Sequence, residues 1–229
     1  MGFSMRAVRV ETTVRRDQIA RAALALIASR GTHALSVAAV ARRVGLVPSA
    51  IYRHFRSKDE VLDAAIAHVG DLLLGNVAAA RAATGVPIER LHVLLGRHLS
   101  MIREHGAIPR LIFSDDVYGG HAARKASMLR ALRAYLDQVA EIAREGQEQG
   151  SVRADLEPDT VALLFMGLVQ PAAVLWHLSD GRFDVSTHAE RGWRLLSETL
   201  APRDAGPASA AAPTAAEIPR LIRIPEDRT

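Results

Sequence analysis

The chain contains no cysteine, so neither a disulfide framework nor a thiolate metal site is open to it. Its first residues, Met1 to Val14, are basic and hold no apolar run of signal-peptide length. A bilayer span needs roughly 20 apolar residues. The longest apolar stretch, Val161 to Trp176, is interrupted by Gln170 and Pro171 and reads as a buried helix. No segment alternates polar and apolar residues with period two, which argues against strands. A glycine-rich phosphate loop, a nucleophile–base pair and a tight His-x3-His pair are all missing. His98 and His105 share a helix face, but no carboxylate stands at ligand spacing beside His98. Asp115-Asp116 and Glu141 with Glu145 read as a helix end and a solvated face. These absences weigh against an enzyme, a metal site and a membrane partner. The expectation is a cytoplasmic protein with no cofactor.

Nearly half of the 229 residues are hydrophobic, enough for a globular core. Charge is unevenly spread. Residues 1–58 carry eleven Arg or Lys against Glu11 and Asp17, a net +9, leaving −5 for the rest of a chain whose total is +4. A GC-rich genome explains arginine in place of lysine, but not this asymmetry. A basic head on an acidic body points to a polyanion at one end.

Helical periodicity runs almost throughout, and the fold class expected is all-α with about nine helices. A first helix over Val14–Ser29 turns Ile19, Ala22, Ala23, Leu26 and Ile27 to one side and stops at Gly31. A second follows Ser36, a good N-cap, and a short third starts near Pro48, which suits a first turn. Ser57 with Glu60 forms a capping box that opens a long helix to Ala83. Further helices are expected over Ile88–His105, Ile108–Ser114 and His121–Gln149, then from Glu157-Pro158-Asp159, and from Ser186 or Thr187 to Leu200. This divides the chain into an N-terminal extension (1–13), a three-helix unit (14–58), an antiparallel helical bundle (59–201) and a Pro/Ala-rich tail (202–229) expected to be disordered.

The second helix, Gly45 and the third helix form a helix-turn-helix. Val40, Ala41, Val44, Leu46, Ile51 and Phe55 pack it on the first helix, and Gly45 permits the turn. Ser49, Ala50, Tyr52, Arg53 and His54 then project outward, a face suited to a major groove about 12 Å wide. Arg16, Arg43 and Lys58 flank it where phosphates run. The pattern alone is weak, since any compact helical hairpin resembles it.

A longer string is more specific. Ile19-Ala20-Arg21-Ala22-Ala23, Gly31, Ser36-Val37-Ala38-Ala39-Val40-Ala41, Val44-Gly45-Leu46 and the run Ile51-Tyr52-Arg53-His54-Phe55-Arg56-Ser57-Lys58-Asp59-Glu60-Val61-Leu62 together resemble the tetracycline-repressor (TetR) family. The resemblance is strong over Gln18 to Ala65 and looser beyond, mainly around Glu145-Gly146 to Asp159. It implies an Ω-like homodimer, usually a repressor, that binds a palindromic double-stranded DNA operator. It also implies that Tyr52 and Lys58 grip phosphates, that Ser36 meets a phosphate, and that Pro48, Ser49, Ala50, Arg53 and His54 face bases or backbone. The chain departs from the family at Ala38, Ala39 and Val47, where polar residues are usual. Arg53 is then left as the candidate for bidentate guanine reading, with a phosphate contact as its alternative.

In the bundle, apolar faces with isolated polar residues suit a cavity for a small lipophilic effector. The candidates are His98, Met101, Phe113, Met128, Tyr135 and Met166, each of which also reads as ordinary core. The segment around Leu163–Trp176 is apolar on more than one side and needs a second subunit. Phe165, Leu168, Val169, Leu175 and Trp176, with Trp193 and Leu196 from the last helix, are the expected dimer residues. Pro171 is expected to kink or bulge its helix. Two readings remain: a ligand-released repressor, and a ligand-independent, DNA-bound structural or cell-division protein of the same fold.

Overall fold

The computed structural model describes residues 3–106, 108, 111 and 114–203. Among these the chain is helical with no strand. The elements are α1 (Phe3–Arg30), a 3-10 turn (Thr32–Ala34), α2 (Val37–Arg43), α3 (Pro48–Ile51) and α4 (Lys58–Ala83). Then come α5 (Pro87–Glu104), α6 (Asp115–Tyr118), α7 (Ala122–Glu148), α8 (Pro158–Leu178) and α9 (Val185–Leu200). The tail beyond Arg203, the Phe113 position and most of the helix expected at Ile108–Ser114 lie outside the described residues.

α1 starts at Phe3, well before Val14, so the expected N-terminal extension is largely helix. Its buried side carries Ile19, Ala23, Leu24 and Ile27. It stops at Gly31, whose φ of 81° favours glycine and whose N–H bonds the Ile27 carbonyl at 2.8 Å. Ser36 then caps α2, its hydroxyl accepting from the Ala39 N–H at 3.1 Å. Gly45 turns the chain at φ 69°, and the Leu46 N–H bonds back to the Ala41 carbonyl at 2.8 Å.

α4 is the long element that both halves share. It packs on α1 on one side and on α5 and α7 on the other, so the chain has one continuous hydrophobic core. The division at 58/59 therefore falls in the first turn of a helix, and the core crosses it. Ser57 caps α4 by accepting from the Glu60 N–H at 3.2 Å. Glu60 does not return the bond to Ser57: its carboxylate takes the Arg56 backbone N–H at 2.8 Å and the Arg56 guanidinium at 2.6 Å.

α7 and α8 make the most extensive helix–helix contact. Of the kink or bulge expected at Pro171, no bulge is present: α8 runs through it as continuous α-helix. The cap of α9 is Asp184, which accepts from the Ser186 and Thr187 N–H groups, so the helix starts at Val185, one or two residues earlier than expected. α4 and α8 are each long and apolar enough to span a membrane by length and composition alone. In the fold both pack into the common core.

A Cβ at Gly45 would meet open space, but its φ is positive, so only backbone strain opposes a side chain there. Gly45→Ala should cost about 1–2 kcal/mol, and Gly45→Asn less, read as the midpoint of denaturant unfolding. Equal losses for the two variants would refute the backbone argument.

Candidate nucleic-acid interface

The α2–α3 hairpin sits on α1 through Val40, Ala41, Ile51 and Phe55, all buried. That leaves one outward surface. Ser36, Arg43, Pro48, Ser49, Tyr52, Arg53 and Lys58 are exposed on it, and Ala50 is half-buried. Regular helix in α3 ends at Ile51. Tyr52, Arg53 and His54 occupy the turn that continues it, closed by the Phe55 N–H on the Ile51 carbonyl at 3.0 Å. Tyr52 is 55 % exposed, a large exposure for an aromatic ring. His54 is half-buried, its Nδ1 shielded from solvent and without a hydrogen-bond partner among the described residues.

Arg16 does more than flank the hairpin. Its guanidinium donates to the His54 carbonyl and lies 4.1 Å from the centroid of the Phe55 ring. The arginine thus ties α1 to the end of the recognition turn, by a charge-assisted hydrogen bond and a cation–π contact. Nothing in the composition pointed to this; it needs the folded distance between residues far apart in sequence.

A second arginine joins the interface to the body. Arg124, in the first turn of α7, is buried. It donates at 2.6 Å to both Asp59 and Asp63 in the first turns of α4, immediately after the recognition turn. The guanidinium holds the Asp59 carboxyl below the usual carboxylate range. A cleft of about 370 Å³ lies beside this pair, lined by Asp63, Ile66, His121 and Ser127. Sequence reasoning missed Arg124. Its i, i+4 partners on α4 were visible, but their cation comes from a helix sixty residues away in the chain.

Of the residues expected to line an effector cavity, His98, Met101, Met128, Tyr135 and Met166 are buried, and Phe113 lies outside the described residues. His98 and Tyr135 are a buried pair, Nδ1 to hydroxyl 2.8 Å apart, with the rings edge to face. Burial pushes the His98 imidazole down to about 4 and the Tyr135 phenol up. Met101, Met128 and Met166 join the same core cluster. Met101 also reaches a cleft of about 600 Å³ between α4 and α5, lined by Leu72, Asn76, Val93, Ser100 and His105. Among the described residues no group of three His, Asp or Glu is placed to hold a metal.

The expected dimer residues differ in how far the subunit itself covers them. Phe165, Val169 and Leu196 are buried in the subunit's own core. Trp176 covers Gly106 and Gly181, Leu168 packs on Gly192, and Trp193 stacks on His92 with ring centroids 4.7 Å apart. Leu175 is exposed, as expected. It is joined by Leu164 and Leu178 on α8 and by Leu195 on α9. Positions 164, 168, 171, 175 and 178 follow helical spacing, so the outward stripe keeps Leu168 and Leu175 of the expected set and has Leu164 and Leu178 where Phe165 and Val169 turn inward.

A basic, outward-facing helix-turn-helix on an all-helical body defines a DNA-binding transcription regulator. The profile described as "Bacterial regulatory proteins, tetR family" matches residues 19–65, and "Tetracyclin repressor-like, C-terminal domain" matches residues 84–200. The chain belongs to the TetR family. It is 29 % identical over 155 residues to the HTH-type transcriptional repressor KstR2 of Mycobacterium tuberculosis, spanning 64 % of this chain and 74 % of that one. It is 22 % identical over 186 residues to the nucleoid occlusion factor SlmA of Idiomarina loihiensis, spanning 81 % and 95 %. The solved structure of FadR from Bacillus subtilis in complex with stearoyl-CoA superposes with a TM-score of 0.67 at 18 % identity, covering 80 % of this chain and 98 % of that one.

Two outcomes are expected. Arg53→Ala should weaken operator binding by about 1–3 kcal/mol and relax preference at one base pair; equal weakening on every sequence would assign Arg53 to a phosphate. His98 is held neutral in the fold but protonates below about 6.5 once unfolded. Stability should therefore be full above pH 6.5 and fall as the pH drops towards about 4, by up to about 3 kcal/mol at 1.36 kcal/mol per unit. His98→Gln should flatten that part of the profile, and an unchanged slope in thermal melts across this range would assign it elsewhere.

Proposed function

We propose that this chain is a transcription repressor that binds a palindromic operator as a homodimer and is released by a small lipophilic effector. The observation that carries the reading is the Arg124 contact to Asp59 and Asp63. It joins the first turn of α7, in the body, to the first turns of the helix that follows the recognition turn. An effector that displaces α7 pulls α4 through this contact, and α4 carries the hairpin with it. Two recognition elements must sit about 34–36 Å apart to enter successive major grooves, so a small rotation of α4 in each subunit ends binding.

DNA contacts are assigned to Ser36, Arg43, Pro48, Ser49, Ala50, Tyr52, Arg53, His54 and Lys58. Arg16 is assigned to positioning, with its remaining N–H groups open to phosphate. The effector enters by the α4–α5 cleft at Met101 and reaches the His98–Tyr135 pair one turn away on α5, with Met128 and Met166 around it. His98, bonded to Tyr135 of α7, supplies the inner polar point, while Asn76, Ser100 and His105 line the mouth of the cleft. The stearoyl-CoA bound by the FadR structure supports a lipophilic effector. The dimer forms across Leu164, Leu175, Leu178 and Leu195, an exposed apolar stripe on α8 and α9 that water alone leaves uncovered at a cost. The protein acts in the cytoplasm and not as an enzyme.

The likeness to SlmA favours a second reading, a DNA-bound protein without an effector. One experiment separates the two. Genomic fragments bound by the full chain are selected and sequenced, and binding to an enriched site is then titrated with acyl-CoA thioesters of increasing length and with neutral lipophiles. Release by one chemical class, accompanied by a thermal shift, is expected. Binding indifferent to all of them, with enriched sites scattered along the chromosome, would replace the repressor by the second reading.

A further inference from the structure

We propose that Val47 is a specificity-determining residue whose isopropyl group reads the 5-methyl group of a thymine in each operator half-site. The proposal rests on the operator-binding reading above.

Val47 holds the N-cap position of α3, with φ −83° and ψ 150°, and its side chain makes no capping bond. At the same position of α2, α4 and α9, the side chains of Ser36, Ser57 and Asp184 each accept a backbone N–H. Valine has no acceptor and is among the least favoured N-cap residues. It is also 63 % exposed, so its apolar surface is left in water. Val86 breaks the same two rules ahead of Pro87 at the start of α5, less exposed at 42 %. What sets Val47 apart is its place: it opens the short helix of the hairpin, next to the exposed Pro48, Ser49, Tyr52 and Arg53.

The surroundings say what the task is. Pro48 is exposed beside it, Ala50 is half-buried in α3, and Ala38 is exposed on α2. None of these side chains can donate or accept a hydrogen bond. Val47, Pro48, Ala50 and Ala38 thus make the leading edge mostly apolar, with Ser49 its polar member, while Arg53 and Tyr52 supply polar contacts further along. In the major groove the thymine methyl is the one apolar feature that a base presents. An isopropyl group against that methyl removes water from both. Against cytosine it would face an amino group and leave that donor without a partner.

The test uses the full chain and a duplex selected by it from a random-sequence pool. Each thymine of a half-site is replaced in turn by deoxyuridine, which keeps the pairing edge and removes only the methyl group. At one thymine per half-site the wild-type protein should bind about fourfold more weakly, the worth of one buried methyl. Val47→Ser should bind the thymine and uracil duplexes alike. Its melting temperature should equal or exceed that of wild type, because serine restores the cap. Val47→Ala, with the cap still absent, should show reduced discrimination. If the wild type tolerates uracil at every position, or Val47→Ser keeps the same discrimination, the assignment is wrong. If the pool yields no enriched sequence at all, the operator-binding reading falls and takes this one with it.

Discussion

Along α4, burial on two sides at once holds the molecule together. His68 meets Asp17 of α1 at 3.3 Å, while Gly70, two residues on, lies against Ala131 of α7 closely enough that an added Cβ would come within 3.1 Å of it. Asn76 reaches Met101 of α5. A helix with apolar surface on both sides cannot be satisfied by one partner. It therefore fuses the three-helix unit to the bundle through a single core. Motion of one part is then felt by the other, because a close-packed interior transmits displacement instead of absorbing it.

Charge reinforces this coupling at both ends. Arg124 grips Asp59 and Asp63 near the start of α4. Near its end, Glu145 of α7 receives the guanidinium groups of Arg81 of α4 and Arg90 of α5. α7 is thus fastened to α4 at two points a helix length apart. Partly buried ion pairs contribute little net stability once desolvation is counted. Their value lies in register: each allows one placement of α7 against α4. The recognition hairpin is fixed by the same logic on a smaller scale, with Arg16 setting its far end against α1.

Much of this was legible in the chain. Helices with a strong apolar period and a good cap were readable to within a residue or two, as at Ser36, Ser57 and Gly31. The recognition surface was readable because its residues are contiguous from Pro48 to Lys58. The failures share a cause. The start of α1, the Glu60 partner and the burial of Phe165 each depend on which of two neighbouring choices the folded chain prefers. Phe165 and Leu164 are adjacent and similarly apolar, and only packing against α7 decides which one is buried.

Sequence by itself determined the helical class, the position of the hairpin and the basic character of its surface, because these follow from periodicity, capping and charge within short stretches. Tertiary structure alone decided the roles of Arg16 and Arg124, the burial of the His98–Tyr135 pair and the true outward face of α8. Each of those joins residues dozens of positions apart, and the energy of such a contact depends on a distance that no local pattern encodes.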